Sequence, residues 1–206
     1  MTYTDTASLC PDGARPRRSV RRLLTPVLMA LACFAFVPAA SAQAGGCAGA
    51  NTPIASASRA ALRRAVVCLI NTQRRARGLP ALRANRRLNR SAQGWTNVMV
   101  ADRYFSHGAD FAARITAAGF HWSSAGENIA TGFATPAAVV AGWMASPGHC
   151  ENILNPTFRY VGTGVSYQDV AGYSSQGGTW TQDFGLRMGQ GAPSANWGPA
   201  EGCPYG

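Results

Sequence analysis

Two of the three histidines sit where a chain can place reactive groups. His107 lies in Tyr104-Phe105-Ser106-His107-Gly108 and His149 in Ser146-Pro147-Gly148-His149-Cys150, both read as loops from their glycine and turn residues. Between them, Gly126-Glu127-Asn128-Ile129-Ala130 sets a carboxylate at the mouth of a short apolar strand. A carboxylate there needs a compensating partner. Two imidazoles and a carboxylate from three loops supply either a zinc site with one open position or a general acid–base pair. The same spacing also fits loop histidines that bond a backbone carbonyl. Ser106 is a nominal nucleophile beside His107, but neighbours in a chain seldom face one another, and a turn serine is expected. His121 has no comparable setting.

The elements that must position these groups belong to a chain of 206 residues, with 47% hydrophobic and 14% charged side chains and a formal charge of +10. That composition excludes a disordered tail, a collagen-like chain and a coiled coil, and the length fits one domain plus a processed segment. Arginines 15, 17, 18, 21 and 22 precede the apolar run Leu23 to Val37 and the small-residue sequence Ala40-Ser41-Ala42. This order reads as a secretory signal peptide over 1–42, too short in its apolar part to span comfortably. The expected location is secreted or periplasmic after cleavage.

Four cysteines then remain, Cys47, Cys68, Cys150 and Cys203, an even number that implies two disulfides in an exported chain. Of three pairings, Cys47 with Cys68 and Cys150 with Cys203 are favoured, because each tethers one end to the body. No C-x-x-C pair is present, which disfavours a thiolate zinc site.

Residues 43–58 lack periodicity and read as a linker or strap. Apolar Leu62, Val66, Leu69 and Ile70 share one face of a helix over Arg59 to Arg77, stopped by Gly78 and Pro80. Leu88, Ala92, Trp95, Val98 and Met99 mark a second helix, and Phe111, Ile115 and Ala118 a short third. Thr135-Pro136 opens a fourth with Val139, Val140 and Trp143 inward, ended by Ser146-Pro147-Gly148. Tyr160 to Tyr167 and Thr179 to Gly185 alternate as strands of an antiparallel hairpin. Trp95, Trp143, Trp180 and Phe184 are assigned to the core, and Trp122 and Trp197 to the surface. Helices first and strands afterwards predict an α+β fold.

Several short motifs then combine: Cys68-Leu69-Ile70-Asn71 with Arg74, Phe105-Ser106-His107, Gly126-Glu127-Asn128-Ile129-Ala130, Gly142-Trp143-Met144 with Ser146-Pro147-Gly148-His149, Asn152-Ile153-Leu154, and Val161-Gly162-Thr163-Gly164-Val165. In this order and spacing the chain resembles the CAP superfamily of cysteine-rich secretory, antigen-5 and pathogenesis-related proteins, in its bacterial secreted branch. The resemblance covers about 62–185. It implies a three-layer α-β-α sandwich over a small antiparallel sheet, with the CAP (SCP) domain at 59–186 and a Gly/Pro-rich extension at 187–206. It also implies an open cleft in which His107, Glu127 and His149 meet, with zinc as the cofactor this set would hold. The family's second acidic residue has no clean match: Ala112 stands where many relatives carry it. Asp110 is the nearest carboxylate, and a helix N-cap is its other reading. The implied function is binding of an extracellular or envelope ligand, lipid or metal, with a small molecule or peptide also open. A metal-dependent hydrolase or protease using the same cleft is the alternative. A monomer is expected.

Charge placement adds a separate expectation. Residues 43–101 carry ten arginines and no acid, whereas 102–206 carry four arginines and seven acids. Such a one-sign segment fits docking on an anionic envelope surface, such as phospholipid or a phosphate-bearing polymer, through Arg83, Arg86 and Arg87. Nucleic acid is disfavoured, because aromatics that could stack on bases are not interleaved with the arginines.

Overall fold

A computed structural model describes residues 46–170, 177–192 and 202–204; the expected leader and Trp197 lie outside the described residues. The Ser58 hydroxyl accepts the Ala61 N–H at 3.2 Å and opens α1 (Arg59–Arg75), which buries Leu62, Ala65, Val66 and Ile70. That spacing is one face of a 3.6-residue period, and each such large aliphatic, once fully buried, contributes about 1.5–3 kcal/mol. Gly78, with φ 69°, makes the turn that stops the helix. The Asn71 side chain then grips both backbone groups of Leu82, at 3.0 and 2.8 Å, and so sets the entry of β1 (Arg83–Ala84).

Asn85 caps α2 (Arg86–Ala101), Asp110 caps α3 (Phe111–Ala117), and Thr135 caps α4 (Pro136–Met144). Two elements exceed the sequence reading. The segment expected to be a short strand around Glu127 is β2 (Trp122–Phe133), and Pro147 starts a new helix, α5 (Pro147–Leu154), instead of only ending the previous one. Proline at the first helical position serves either purpose, so the pattern alone could not choose. The expected hairpin is present as β3 (Tyr160–Ser166) and β4 (Gly178–Arg187), paired antiparallel.

The sheet order is β1-β3-β4-β2, with β4 antiparallel to both neighbours. Sequence reasoning expected an antiparallel sheet; the sheet is mixed, because the two-residue β1 runs parallel to β3. One layer, α1, α4 and α5, buries Leu62, Ile70, Val140, Trp143, Ile153 and Trp180 against one side of the sheet. The other, α2 and α3, packs on the opposite side around Leu88, Ile115 and Phe120. The α-β-α sandwich is therefore present.

Glycines on β3 fix how closely the second layer sits. A Cβ on Gly162 would meet the Leu88 carbonyl carbon at 2.1 Å, and one on Gly164 the Ala92 oxygen at 2.4 Å. Only glycine permits α2 to lie there.

Trp143, Trp180 and Phe184 are buried as expected, whereas Trp122 is half-buried and donates to Thr116 Oγ1 at 3.0 Å. The stretch 46–58 is no free linker: Ile54 enters the core, and its N–H donates to Ala134 O at 2.9 Å. Both favoured disulfides, Cys47–Cys68 and Cys150–Cys203, are formed. Among the described residues, no helix is long and apolar enough to cross a membrane.

Candidate functional site

β2 is an edge strand, and the three groups singled out from sequence come to that edge from different layers. Glu127 belongs to β2 itself, opposite Asp183 of β4 in the ladder. Side chains alternate along a strand, so Glu127 and Asp183 share the face that carries Gly162, on which α2 lies. Asn128 takes the other face, where its Nδ2 donates to His149 O of α5 at 3.1 Å. Asn152 Nδ2 adds bonds to Glu127 O at 3.1 Å and Asn128 Oδ1 at 2.9 Å.

His107 arrives from the loop before α3. Ser106 Oγ accepts the Gly108 N–H at 3.0 Å and Trp95 Nε1 donates to Ser106 O at 2.9 Å, which fixes the loop and makes Ser106 a turn serine. His107 Nδ1 then stands 2.9 Å from Glu127 Oε1, and Arg114 Nη2 donates to Glu127 Oε2 at 2.7 Å. The Glu127 side chain is only 1% exposed, whereas that of His107 is 48% exposed. With Nδ1–H turned to the carboxylate, the imidazole keeps Nε2 as its basic nitrogen. Arg114 also stacks over Trp95, 3.9 Å from the ring centroid.

Asp183 completes the cluster from below. It is 1% exposed, and its carboxyl oxygens make no hydrogen bond among the described residues, although Ser91 and Glu127 are its polar neighbours. Burial first, and then the Glu127 charge, push its carboxyl well above the usual carboxylate range, which favours the uncharged acid. The site thus joins two carboxyl groups, one guanidinium and one imidazole.

His149 occupies the first turn of α5 instead of a loop. Burial lowers its affinity for a proton, and the neighbouring His107 lowers it further. Beside it lies a groove of about 340 Å³ with Phe105, Ile129, Ala130, Phe133 and Trp143 among its walls. A polar network and an apolar groove therefore meet at the β2 edge.

Residues 67–184 match the cysteine-rich secretory protein (CAP) family, more than half of the chain. The chain belongs to the CAP family. The Bacillus subtilis (strain 168) protein YkwD is 37% identical over 139 residues, 65% of this chain and 51% of that protein. An extracellular SCP-domain protein of Bacillus anthracis aligns with TM-score 0.54 and 25% identity over 64% of this chain and 44% of that one. An outer surface protein of Borrelia burgdorferi aligns with TM-score 0.54 and 21% identity over 60% of this chain and 90% of its own. This CAP chain spans about half the length of the Bacillus subtilis relative.

In this CAP domain His107 and Arg114 already occupy the two carboxylate oxygens of Glu127. Among the described residues no three His, Cys, Asp or Glu groups could hold a metal ion, and a cation at Glu127 would have to displace Arg114 from Oε2 and His107 from Oε1. Asp110 does not join the cleft network: its Oδ1 accepts the Ala113 N–H at 2.8 Å as the α3 cap. The second acid of the site is Asp183, which sequence reasoning missed together with Arg114. A signal existed for Asp183, an ionisable side chain inside a strand whose neighbours Trp180 and Phe184 read as core. For Arg114, a lone arginine in a short helix, there was none.

Proposed function

We propose that this protein is a secreted CAP domain that binds an apolar extracellular ligand, of lipid type, in the groove beside His149. One observation carries the reading: the groove walls are mainly aromatic and aliphatic, with His149 among them, and His107 is an electrostatic neighbour of His149. An amphiphile would lay its chain along Phe133 and Trp143 and present its head group to the imidazoles. Two disulfides and an extracellular relative are consistent with export.

A fluorescent fatty-acid probe tests this. Saturable binding should weaken at least about tenfold in Phe133→Arg, which sets a charge against the apolar wall, with the circular dichroism spectrum unchanged. Probe binding unaffected by that substitution would sink the proposal. Zinc-dependent hydrolytic turnover abolished by His149→Ala would instead establish the hydrolase alternative.

A further inference from the structure

A second concavity lies on the far side of α2 from Trp95. It measures about 470 Å³ and is lined by Arg63 of α1 and by Arg86, Asn89, Arg90, Gln93 and Asn97 of α2. The α2 residues recur at intervals of three and four, one stripe of a helix. A neighbouring recess of about 400 Å³ shares Arg63 and Asn89 and adds Arg64, so the two form one groove along the helices.

The recess on α1 also carries the apolar Ala60, Val67 and Ala84, but on the α2 side the lining is donor-rich for a structural reason. Asn89 Oδ1 accepts the Thr163 N–H at 2.9 Å, and Gln93 Oε1 accepts both the Val165 N–H at 3.1 Å and Arg63 Nη2 at 2.7 Å. Asn97 Oδ1 accepts Gln93 Nε2 at 2.9 Å. The amide acceptors are thus spent on β3 and on one another. The Nδ2 groups of Asn89 and Asn97 make no bond among the described residues, and Arg63 Nε is buried without a partner. The only ion pairs among the described residues are the two at Glu127, so no carboxylate neutralises Arg63, Arg64, Arg86 or Arg90. Burial, with the Arg59 charge adding, holds Arg63 below the usual guanidinium value, as expected of a cation lacking a counter-ion.

We propose that the α1–α2 groove binds the phosphate groups of a linear polyanion without stackable bases. Guanidinium forks match phosphate oxygens in pairs, and the free amide N–H groups supply neutral donors between them. Among the described residues no aromatic side chain lines the groove, which leaves nucleobases without a platform. The structure refines the surface expected from sequence: Arg86 lines the groove, but Arg83 lies in a separate recess beside Tyr160 and Arg87 against Gly119.

The test uses inorganic polyphosphate of defined length, with the purified protein immobilised. Affinity should fall by about tenfold or more between 50 and 200 mM salt, as expected when several phosphates are neutralised. Arg86→Glu/Arg90→Glu should lose at least about tenfold, while Arg83→Glu/Arg87→Glu, the same change in net charge, should stay within about threefold. Unchanged thermal midpoints would show that both variants fold. Equal losses in the two pairs, no polyphosphate binding, tighter binding of a single-stranded oligonucleotide, or binding to phosphatidylglycerol vesicles without binding polyphosphate would each overturn the proposal. Fatty-acid binding in the β2-edge groove should be untouched by either pair.

Discussion

Arg74 and Asp183 are both ionisable, both sealed from solvent, and held in opposite ways. Arg74 has no carboxylate partner among the described residues. Its Nε donates to Pro80 O at 2.8 Å and its Nη1 to Ile153 O at 2.8 Å and Asn155 O at 2.9 Å, so one fixed cation ties the end of α1 to the end of α5. Burial lowers its pKa to about 10, still far above physiological pH. Asp183 has the reverse situation, an ionisable group beside another carboxyl and short of donors. The first arrangement holds the chain together, whereas the second leaves a proton whose position depends on surroundings. A buried charge held by several carbonyls is a structural tie even with Arg74 Nη2 left without a partner among the described residues, whereas one short of donors beside a second carboxyl is a reactive one.

The largest expected effect tests the tie. Arg74→Met keeps most of the volume but strands three carbonyls, and should cost about 4 kcal/mol in urea unfolding. A loss below about 1 kcal/mol would mean that water can replace the guanidinium, and the contrast would fail. Next, Arg114→Met removes the only full cation that pairs with Glu127 among the described residues. Allowing for its partial exposure, the cost should be about 2–3 kcal/mol, and adding Asp183→Asn should recover part of it, because the amide needs no proton beside Glu127.

A smaller effect appears in pH dependence. The folded chain holds a proton on Asp183 that the unfolded chain releases above the ordinary carboxylate value of 3.8, so stability should fall as pH rises from there through the raised folded pKa. Asp183→Asn should remove that slope and, near pH 5, lie within about 1 kcal/mol of the parent. A slope unchanged by the substitution would assign the proton elsewhere. The smallest effect is at His149. Its NMR titration should lie below 6.5, and His107→Ala should move it part of the way back up. As pH falls through 6.5, the unfolded chain takes up a proton that folded His149 resists, which lowers stability in acid.

Helix faces were legible because burial and the 3.6 period coincide in Leu62, Val66 and Ile70, and because Asp110 and Thr135 cap where their side chains allow. α5 was not, since Pro147-Gly148 reads equally as a stop and a start. Of the site, His107 and Glu127 were visible as chemistry in glycine-bearing motifs. Asp183 was hidden by strand pairing: it meets Glu127, more than fifty residues away in the chain, through the register of two strands, which local pattern does not encode. Arg114 was hidden for a related reason, because it reaches the Glu127 carboxylate from a different element.

The paired glycines of β3 make α2 a shared mount. Trp95 on one flank of this helix steadies the His107 loop, and Asn89, Gln93 and Asn97 on another line the arginine groove. Backbone meets backbone at Gly162 and Gly164, so no soft side chain stands between to absorb an intruding methyl group. Helix and sheet must separate as rigid bodies, and the displacement reaches both flanks together. Drift in the residues of one cleft can therefore proceed without disturbing the other, but drift at these two glycines cannot.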